Sequence, residues 1–509
     1  MAKDINPLVL LPADRPSLSR FIVFVLGSAM SLCFAPFGLS LLAPLLLLPL
    51  LYFCLLVSPR DAGAHAFWFG LGMFLTGTYW IYISVHVYGN APLWVALLLM
   101  LGLSLIMAWF LFLAGWLMSR LSQGEPWLML LVAPAAWVLV EWLRGWVFTG
   151  FPWLALGYGQ IDTLLAGWAP ILGVYGVSYM LMVSTTGLIV LLMSSGAQRV
   201  AALALVLLPW LLGGSLTRTD WTEPQGAPMR ASIVQAGVSQ DKKWERDQLR
   251  PIMEFYRRST LSVPDSEIVV WPEVAIPALQ DQVGDYIDTI ERDIGDDSRT
   301  VLFGILERRF EQGNEHIYNS VISLGGSQRQ AYRKRHLVPF GEYFPVPARV
   351  REWMKLQNLP HSDLSAGEAQ QALLASANGT RFAVAICYED AYGAEQLYAL
   401  PEANLIINVS NDAWFGDSIA PHQHLEIARM RALEVGRYAI RSTNTGISAF
   451  IDNFGELLAV GKQFEPQLLT ANVEPRVGST PYASTGNMPI VSLCFAIVAL
   501  FWLRSRASL

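Results

Sequence analysis

Charge is what this sequence has too little of. Only 15% of its 509 residues are Asp, Glu, Lys or Arg, and 53% are hydrophobic. A soluble chain of this size carries about 25% charged residues. The shortage is uneven: residues 1–217 hold few charges, 218–487 have an ordinary soluble composition, and 488–509 return to an apolar run. Those composition shifts mark three segments, the middle one facing water. No basic run is present, which argues against a nucleic-acid partner, and the net charge of −6 only averages two solvents. Internal repeats and low-complexity stretches are absent. Cysteine is scarce too. Cys33, Cys54 and Cys494 fall in apolar runs, where a small apolar side chain is ordinary. That leaves Cys387 as the only cysteine of the middle segment, so no disulfide framework can be built there.

What is abundant is long apolar sequence. A hydrocarbon core of about 30 Å needs roughly 20 apolar residues in a helix. Runs near 18–35, 38–57, 63–84, 92–118, 127–147, 164–194, 198–215 and 488–504 meet that need. They predict a membrane bundle of about eight transmembrane helices, seven before the water-facing domain and one after it. Pro36 and Pro92 help to set two boundaries. The sixth run is long, which predicts tilt or partial burial outside the lipid. Arg15 and Arg20 precede the first run, but no small-residue cleavage site follows, so that run is expected to be a retained anchor. Lys3, Arg15, Arg20, Arg60, Arg120, Arg199, Arg504 and Arg506 all fall on one side if both termini are cytoplasmic. Loops 85–91 and 148–163 have no Lys or Arg. The positive-inside rule therefore puts the 218–487 domain outside the cytoplasm.

Two membrane features have double readings. Glu141 and Arg144 are three residues apart, so they share one helix face and can pair. They form either a polar floor under a substrate site or an ion pair that fixes helix packing. The loop Thr149-Gly150-Phe151-Pro152-Trp153 is either an aromatic belt or the wall of a lipid entrance.

In the middle segment, strand-like runs at 230–236, 266–271, 301–307, 317–324, 382–387, 404–409, 438–443 and 447–452 alternate with helical stretches near 246–262, 284–294 and 422–436. That alternation predicts an α/β layered domain. Cys387 ends the run Phe382-Ala383-Val384-Ala385-Ile386. In a compartment that favours disulfides, a lone thiol is either deeply buried or kept for reactivity. Glu273 follows a strand-like run in Trp271-Pro272-Glu273, as either a capping carboxylate or an acid–base group. Lys334 sits in Tyr332-Arg333-Lys334-Arg335-His336-Leu337-Val338-Pro339-Phe340-Gly341-Glu342, where a solvated face is the plain reading for Arg333 and Arg335.

A Glu, a Lys and a Cys in this order, each at a strand end, resemble the nitrilase superfamily. With the membrane helices, Val338-Pro339-Phe340-Gly341-Glu342 and Ser410-Asn411-Asp412-Ala413-Trp414-Phe415-Gly416, the whole chain resembles the apolipoprotein N-acyltransferase family within it. The resemblance implies an αββα sandwich in a bacterial inner membrane protein, with its catalytic domain on the periplasmic side. It implies a phospholipid acyl donor, a diacylated apolipoprotein acceptor, and catalysis by Glu273, Lys334 and Cys387 through a thioester. It also implies supporting roles for Glu342, Tyr388 and Glu389. Glu342 would orient Lys334 or assist proton movement, and Glu389 would be either a supporting carboxylate or a structural ion-pair partner. Trp244, Trp414 and Phe415 are expected at the substrate, the last two lining an acyl-chain tunnel or dipping into the bilayer. Because both substrates are lipids, mobile apolar loops are expected over Cys387. His422 and His424 lack a third ligand motif, and the implied chemistry needs no metal or other cofactor. Two rivals remain: a membrane-anchored amidohydrolase with water as acceptor, and a transporter with an external domain. Against the transporter, the spans hold little intramembrane charge beyond Glu141 and Arg144, and no inverted repeat is visible.

Overall fold

The computed structural model describes residues 15–295, 299–311, 313–326, 328–343, 349 and 363–507. Lys3, one of the residues used for orientation, lies outside them. The chain falls into two compact units, each described by itself. One comprises the residues up to Thr219, Phe415–Glu426, and Thr485 onward; the other comprises Asp220–Trp414 and Ile427–Ser484.

The first unit is helical. Among the described residues, six helices are long and apolar enough to cross a membrane: Pro16–Cys33, Leu93–Ser122, Pro126–Arg144, Leu164–Met193, Ala197–Leu216 and Met488–Arg506. A seventh is the bent pair Pro59–Gly77 and Trp80–Tyr88, if it is one span. The expected count of eight is therefore slightly high. The remaining run, Ser40–Leu56, is a shorter apolar helix that begins as a 3-10 turn. The sixth run is long for a physical reason. It opens with the 3-10 turn Leu164–Trp168, and Gly173 departs from helical geometry at φ 68°. Pro92 caps the helix Leu93–Ser122, where its missing N–H leaves no bond unmade.

Glu141 and Arg144 are both buried on the helix Pro126–Arg144, and their bonds reach the loop that follows. Glu141 Oε1 accepts from Trp137 Nε1 and from the Leu156 backbone, each at 2.8 Å. Arg144 Nη1 donates to the carbonyls of Phe151 and Trp153. Both side chains thus bond to the aromatic loop that follows their helix. Trp153 and Trp80 both donate from Nε1 to Gln423 Oε1, at 2.8 and 3.2 Å.

The second unit is a two-layer sheet sandwich with helices outside. Its strands are β1 (Thr222–Pro224), β2 (Met229–Gln235), β3 (Ile268–Val270), β4 (Thr300–Glu311), β5 (Asn314–Leu324), β6 (Gln330–Arg333), β7 (Leu374–Ala375), β8 (Arg381–Ile386), β9 (Leu405–Ser410), β10 (Ala439–Thr443), β11 (Ala449–Ile451), β12 (Leu457–Val460), β13 (Gln467–Val473) and β14 (Arg476–Gly478). One six-stranded sheet runs β13-β2-β3-β4-β5-β6 and the other β12-β11-β10-β9-β8-β7; β1 and β14 form a small ribbon. Strands β2, β3 and β4 are parallel, as are β8, β9 and β10. Buried on both faces, such strands read as continuous apolar runs rather than alternating ones, as in Ile268-Val269-Val270 and Leu405-Ile406-Ile407.

Alternate residues of the two sheets interlock. Ile233, Val270, Leu302 and Val321 from the first pack with Val384, Ile386, Ile407 and Ile440 from the second. On the outer face of the first sheet, Val269, Trp271, Phe303 and Ile305 meet the helices Leu249–Leu261 and Gly284–Ile294 through Ile252, Tyr256, Ile287 and Ile290. On the second sheet, Ala383 and Ile406, which point away from the interlocked face, are buried too.

Candidate active site

Strand direction gathers the candidates. β2, β3 and β4 are parallel, β5 is antiparallel to β4, and β6 is antiparallel to β5. So β2, β3 and β6 end at one edge of their sheet. Glu273 lies three residues past β3, Lys334 one past β6, and Cys387 one past β8. The carboxyl ends of parallel strands are the usual crevice for a ligand in α/β folds.

Each position is fixed locally. Trp271 is fully buried, stacks on Tyr256 at 4.8 Å and donates to Thr260 Oγ1 at 3.0 Å. It anchors the segment that carries Glu273. Gly304 lets that segment come close. A Cβ there would meet Glu273 Cα and Val274 N at 2.6 Å and the Pro272 carbonyl at 2.7 Å. These are backbone atoms and cannot swing aside. Gly304→Ala is therefore expected to push Glu273 out of place. A displacement of about 1 Å can cost about 100-fold in rate, so kcat should fall by that order while detergent-solubilised protein remains folded. A variant with wild-type kcat would show that the approach is not needed.

Three non-glycine residues at this edge have left-handed backbones: Val274 (φ 45°), Phe340 (φ 63°) and Cys387 (φ 54°). Such conformations cost on the order of 1–3 kcal/mol each and persist where the surroundings force them. At Cys387 the strand stops and the 3-10 helix Cys387–Ala391 begins.

The charged groups converge. Lys334 is 1% exposed. Its Nζ donates to Glu342 Oε1 at 2.8 Å and lies 3.7 Å from Glu273 Oε1. Asn319 on β5 donates from Nδ2 to both carboxylates, at 2.7 Å to Glu273 and 3.1 Å to Glu342. Val338 N–H donates to the other oxygen of Glu342 at 2.8 Å. Burial opposes charge on Lys334, but Glu342, then Glu273 and Cys387, outweigh it and hold the ammonium above the ordinary lysine range. Cys387 goes the other way. Burial, then the Glu273 charge, pushes its thiol up, and the pull of Lys334 offsets this only in part. At rest the site thus holds a thiol beside a carboxylate and an ammonium.

Glu389 is buried and ties two of these loops together. Its carboxylate accepts from Arg335 N–H (2.7 Å), His336 N–H (3.2 Å), Ile386 N–H (2.7 Å) and the Tyr332 hydroxyl (3.1 Å). It brackets the residues beside Lys334 and beside Cys387, so it supports both. A glutamine at this position could not accept from both sides, because its NH₂ would face a donor. Glu389→Gln is expected to cost about 1–3 kcal/mol, read as a lower melting temperature in detergent; an unchanged melting temperature would refute the bracket.

Arg333 and Arg335 are not a plain solvated face. Arg333 pairs with the buried Glu307 at 2.7 Å. Arg335 donates to the Ala369 and Glu395 carbonyls and lies 4.0 Å over the Tyr398 ring. Lys334 is no surface lysine either, given its burial. Tyr388 follows Cys387 and sits 5.2 Å from Tyr392, ring to ring. The expected substrate aromatics divide. Trp244 and Trp414 are exposed residues of the sandwich unit, Trp244 capping the short helix Gln240–Lys243 after β2 and Trp414 within the 3-10 helix Asp412–Phe415 after β9. Phe415 belongs to the helical unit, edge-on to Trp80 at 4.8 Å. His424 packs against Trp153 in that same unit, at 5.6 Å.

Sequence reading passed over three groups. Asn319 bridges the two carboxylates; an asparagine within the apolar strand Ile317–Leu324 was its only signal. Lys243 is buried, with Nζ 3.4 Å from the Glu273 carbonyl, and burial brings its pKa down to about 8. Ser410 has its side chain fully buried at the end of β9, beside Cys387.

Known proteins match both parts of this chain. Residues 26–188 match the model of the apolipoprotein N-acyltransferase N-terminal domain, and 230–482 match that of carbon-nitrogen hydrolase. Apolipoprotein N-acyltransferase of Methylococcus capsulatus is 41% identical over 485 residues, 94% of this chain and 95% of that one. The chain belongs to the apolipoprotein N-acyltransferase family. Its relatives in Azotobacter vinelandii and Nitrosomonas europaea carry the same name. They are 40% and 39% identical, over 96% and 94% of this chain and 95% of each of theirs. As an apolipoprotein N-acyltransferase family member it is an acyltransferase of the carbon-nitrogen hydrolase superfamily, with membrane helices added. The hydrolase match spans Glu273, Lys334 and Cys387 together.

Proposed function

We propose that this protein moves an acyl chain from a membrane phospholipid to the α-amino group of a diacylglyceryl-cysteine at the N-terminus of an apolipoprotein, through a thioester on Cys387. The observation that carries this reading is the convergence of Glu273 and Lys334, past strands of one sheet, with the Cys387 thiol, past a strand of the other, in a chain of this family. Residues 218–487 form the catalytic domain on the periplasmic side of the inner membrane, and both termini are cytoplasmic. The Lys and Arg pattern of the short loops supports that orientation.

Glu273 is the general base. It takes the thiol proton as the sulfur attacks the ester carbonyl. Lys334, kept charged by two carboxylates, stabilises the thiolate and then the oxyanion of the tetrahedral intermediate. The Tyr388 N–H is a second oxyanion donor. When the intermediate collapses, the C–O bond breaks, and protonated Glu273 returns its proton to the glycerol oxygen. A lysophospholipid leaves and the acyl group stays on sulfur. In the second half, Glu273 takes a proton from the attacking amine and delivers it to the departing sulfur, so the thiol is restored. Glu342 and Asn319 hold Lys334 and Glu273 in register. Trp244, Trp414 and Phe415 meet the lipid chains.

Lipid substrates also explain the membrane helices. Extracting an acyl chain into water costs about 0.8 kcal/mol per CH₂, prohibitive over two long chains, so an enzyme that stays in the bilayer avoids that step. The test uses purified protein, phospholipid and a synthetic diacylated lipopeptide. The expected product is the N-acylated lipopeptide with ping-pong kinetics. Free fatty acid as the sole product, at the same rate with or without lipopeptide, would instead establish an amidohydrolase-like enzyme with water as acceptor.

A further inference from the structure

Behind the nucleophile lies a buried ionic cluster that the mechanism above does not use. Strands β8 and β9 are parallel, and Ile386 pairs with Val409. The next residues along are Cys387 and Ser410. Ser410 is fully buried and its Oγ donates to Asp412 Oδ1 at 3.0 Å. Asp412 Oδ2 accepts from Arg441 Nη2 at 2.9 Å. Arg441 Nη1 donates to Asn408 Oδ1 at 2.5 Å and reaches Asp390 Oδ2 at 3.4 Å. Asp390, Asp412 and Arg441 are each at most 1% exposed. Both carboxylates thus lie on one guanidinium, and the Asp412 charge is felt at the sulfur.

That charge opposes thiolate formation. A serine between the anion and the sulfur changes the outcome, because a hydroxyl has one proton and can accept as well. We propose that Ser410 is a further catalytic residue, a hydroxyl that turns its proton from Asp412 to the Cys387 sulfur when the thiolate forms. While Cys387 is a thiol, the hydroxyl stays directed at Asp412. When Glu273 takes the thiol proton, the O–H turns to the sulfur while Arg441 still holds Asp412. When the acyl group bonds to sulfur, the negative charge there is gone and the O–H returns. No proton leaves the serine at any stage. Asp412 and Arg441 are positioning residues: they set the resting direction of the hydroxyl and limit what its turning costs. The charged groups that face the thiol are Glu273 past β3, Lys334 past β6 and Asp412 past β9. The first and last raise its pKa and Lys334 lowers it; a hydrogen bond from Ser410 lowers it too.

This inference rests on Cys387 being the nucleophile, but its test needs no lipid. The full-length protein in detergent is alkylated with iodoacetamide from neutral to alkaline pH, and modification is followed at the Cys387 peptide by mass spectrometry. A hydrogen bond to a charged group makes a difference of about 10- to 100-fold. Ser410→Ala should therefore slow alkylation about 10-fold or more at a given pH and displace the profile upward by about one pH unit. Ser410→Thr, which keeps the hydroxyl, should restore it. Asp412→Asn should act in the opposite sense. It removes an anion and weakens the competing acceptor, so the profile moves down. A structural role alone would not give opposite shifts. If Ser410→Ala does not fold, Ser410→Gly, which also lacks the hydroxyl, is read in the same way. A Ser410→Ala profile superimposed on the wild type, or an Asp412→Asn profile displaced upward or not at all, overturns the proposal. Failure of the functional reading is separate: it appears as a wild-type protein that takes no acyl group from phospholipid.

Discussion

Cys387→Ala is expected to lower N-acyl transfer at least about 10⁴-fold while leaving the fold intact. Losing a nucleophile removes the covalent route altogether, and effects of this size are usual for such residues. Stability should barely respond. The thiol is small, and alanine meets the same left-handed backbone at φ 54° that cysteine does. Cys387→Gly extends the argument. Glycine adopts that conformation without the Cβ penalty of about 1–2 kcal/mol. The glycine variant should be as inactive as the alanine variant, yet melt at a higher temperature. Equal melting of the two would mean the nucleophile stores no backbone strain. Substantial transfer activity in either would remove Cys387 from the mechanism.

Lys334→Met should damage both chemistry and fold. The ammonium is buried with two carboxylates, Glu342 at 2.8 Å and Glu273 at 3.7 Å, and Asn319 donates to each. Removing the cation leaves those carboxylates, both mostly buried, facing each other without a counter-charge. Breaking a buried charge group this way costs about 3–5 kcal/mol. Transfer should fall at least about 10³-fold, since an oxyanion donor is lost and the thiolate loses its counter-charge. The pH dependence follows from the signs. In the wild type, the raised pKa of Lys334 gives stability that is present at neutral pH and is lost as pH rises through that raised value. In Lys334→Met that contribution is absent at every pH. The gap in melting temperature between the two proteins should therefore be full at neutral pH and narrow only as pH rises past the ordinary lysine value of about 10.4. Melting temperatures of both proteins from about pH 7 to about pH 11 measure this. A variant that melts like the wild type across that range would contradict the buried charge group.

Much of this was legible in the sequence because the physics involved is local. Apolar runs report the solvent around a helix, so the membrane half could be read from composition. The count was harder, since hydropathy does not reveal where a run bends, as between Gly77 and Trp80, or starts as a 3-10 turn, as at Ser40. In the sandwich, continuous apolar runs gave the central strands within a few residues. The edge strands β12 and β13 escaped because their faces are half exposed and their residues mixed. Cys387 and Glu273 stood out because each follows an apolar run, and Lys334 because its segment mixes basic, apolar, turn and acidic residues tightly. Asn319 and Ser410 did not stand out. Their importance comes from partners far away in the chain: Glu273 for one, and Cys387 just past the neighbouring strand for the other. Arg333 and Arg335 misled for the same reason. A cluster of basic residues looks solvated until Glu307 and the Tyr398 ring are brought beside it.

The central claim is that a phospholipid acyl chain rests on the Cys387 sulfur. Intact-mass measurement of the purified protein after incubation with phospholipid alone tests it most directly. The expected result is an added mass of one fatty acyl group, mapped to the Cys387 peptide, removed by hydroxylamine and missing from Cys387→Ala. A wild-type protein that gains no such mass, or an equal gain in Cys387→Ala, would contradict it.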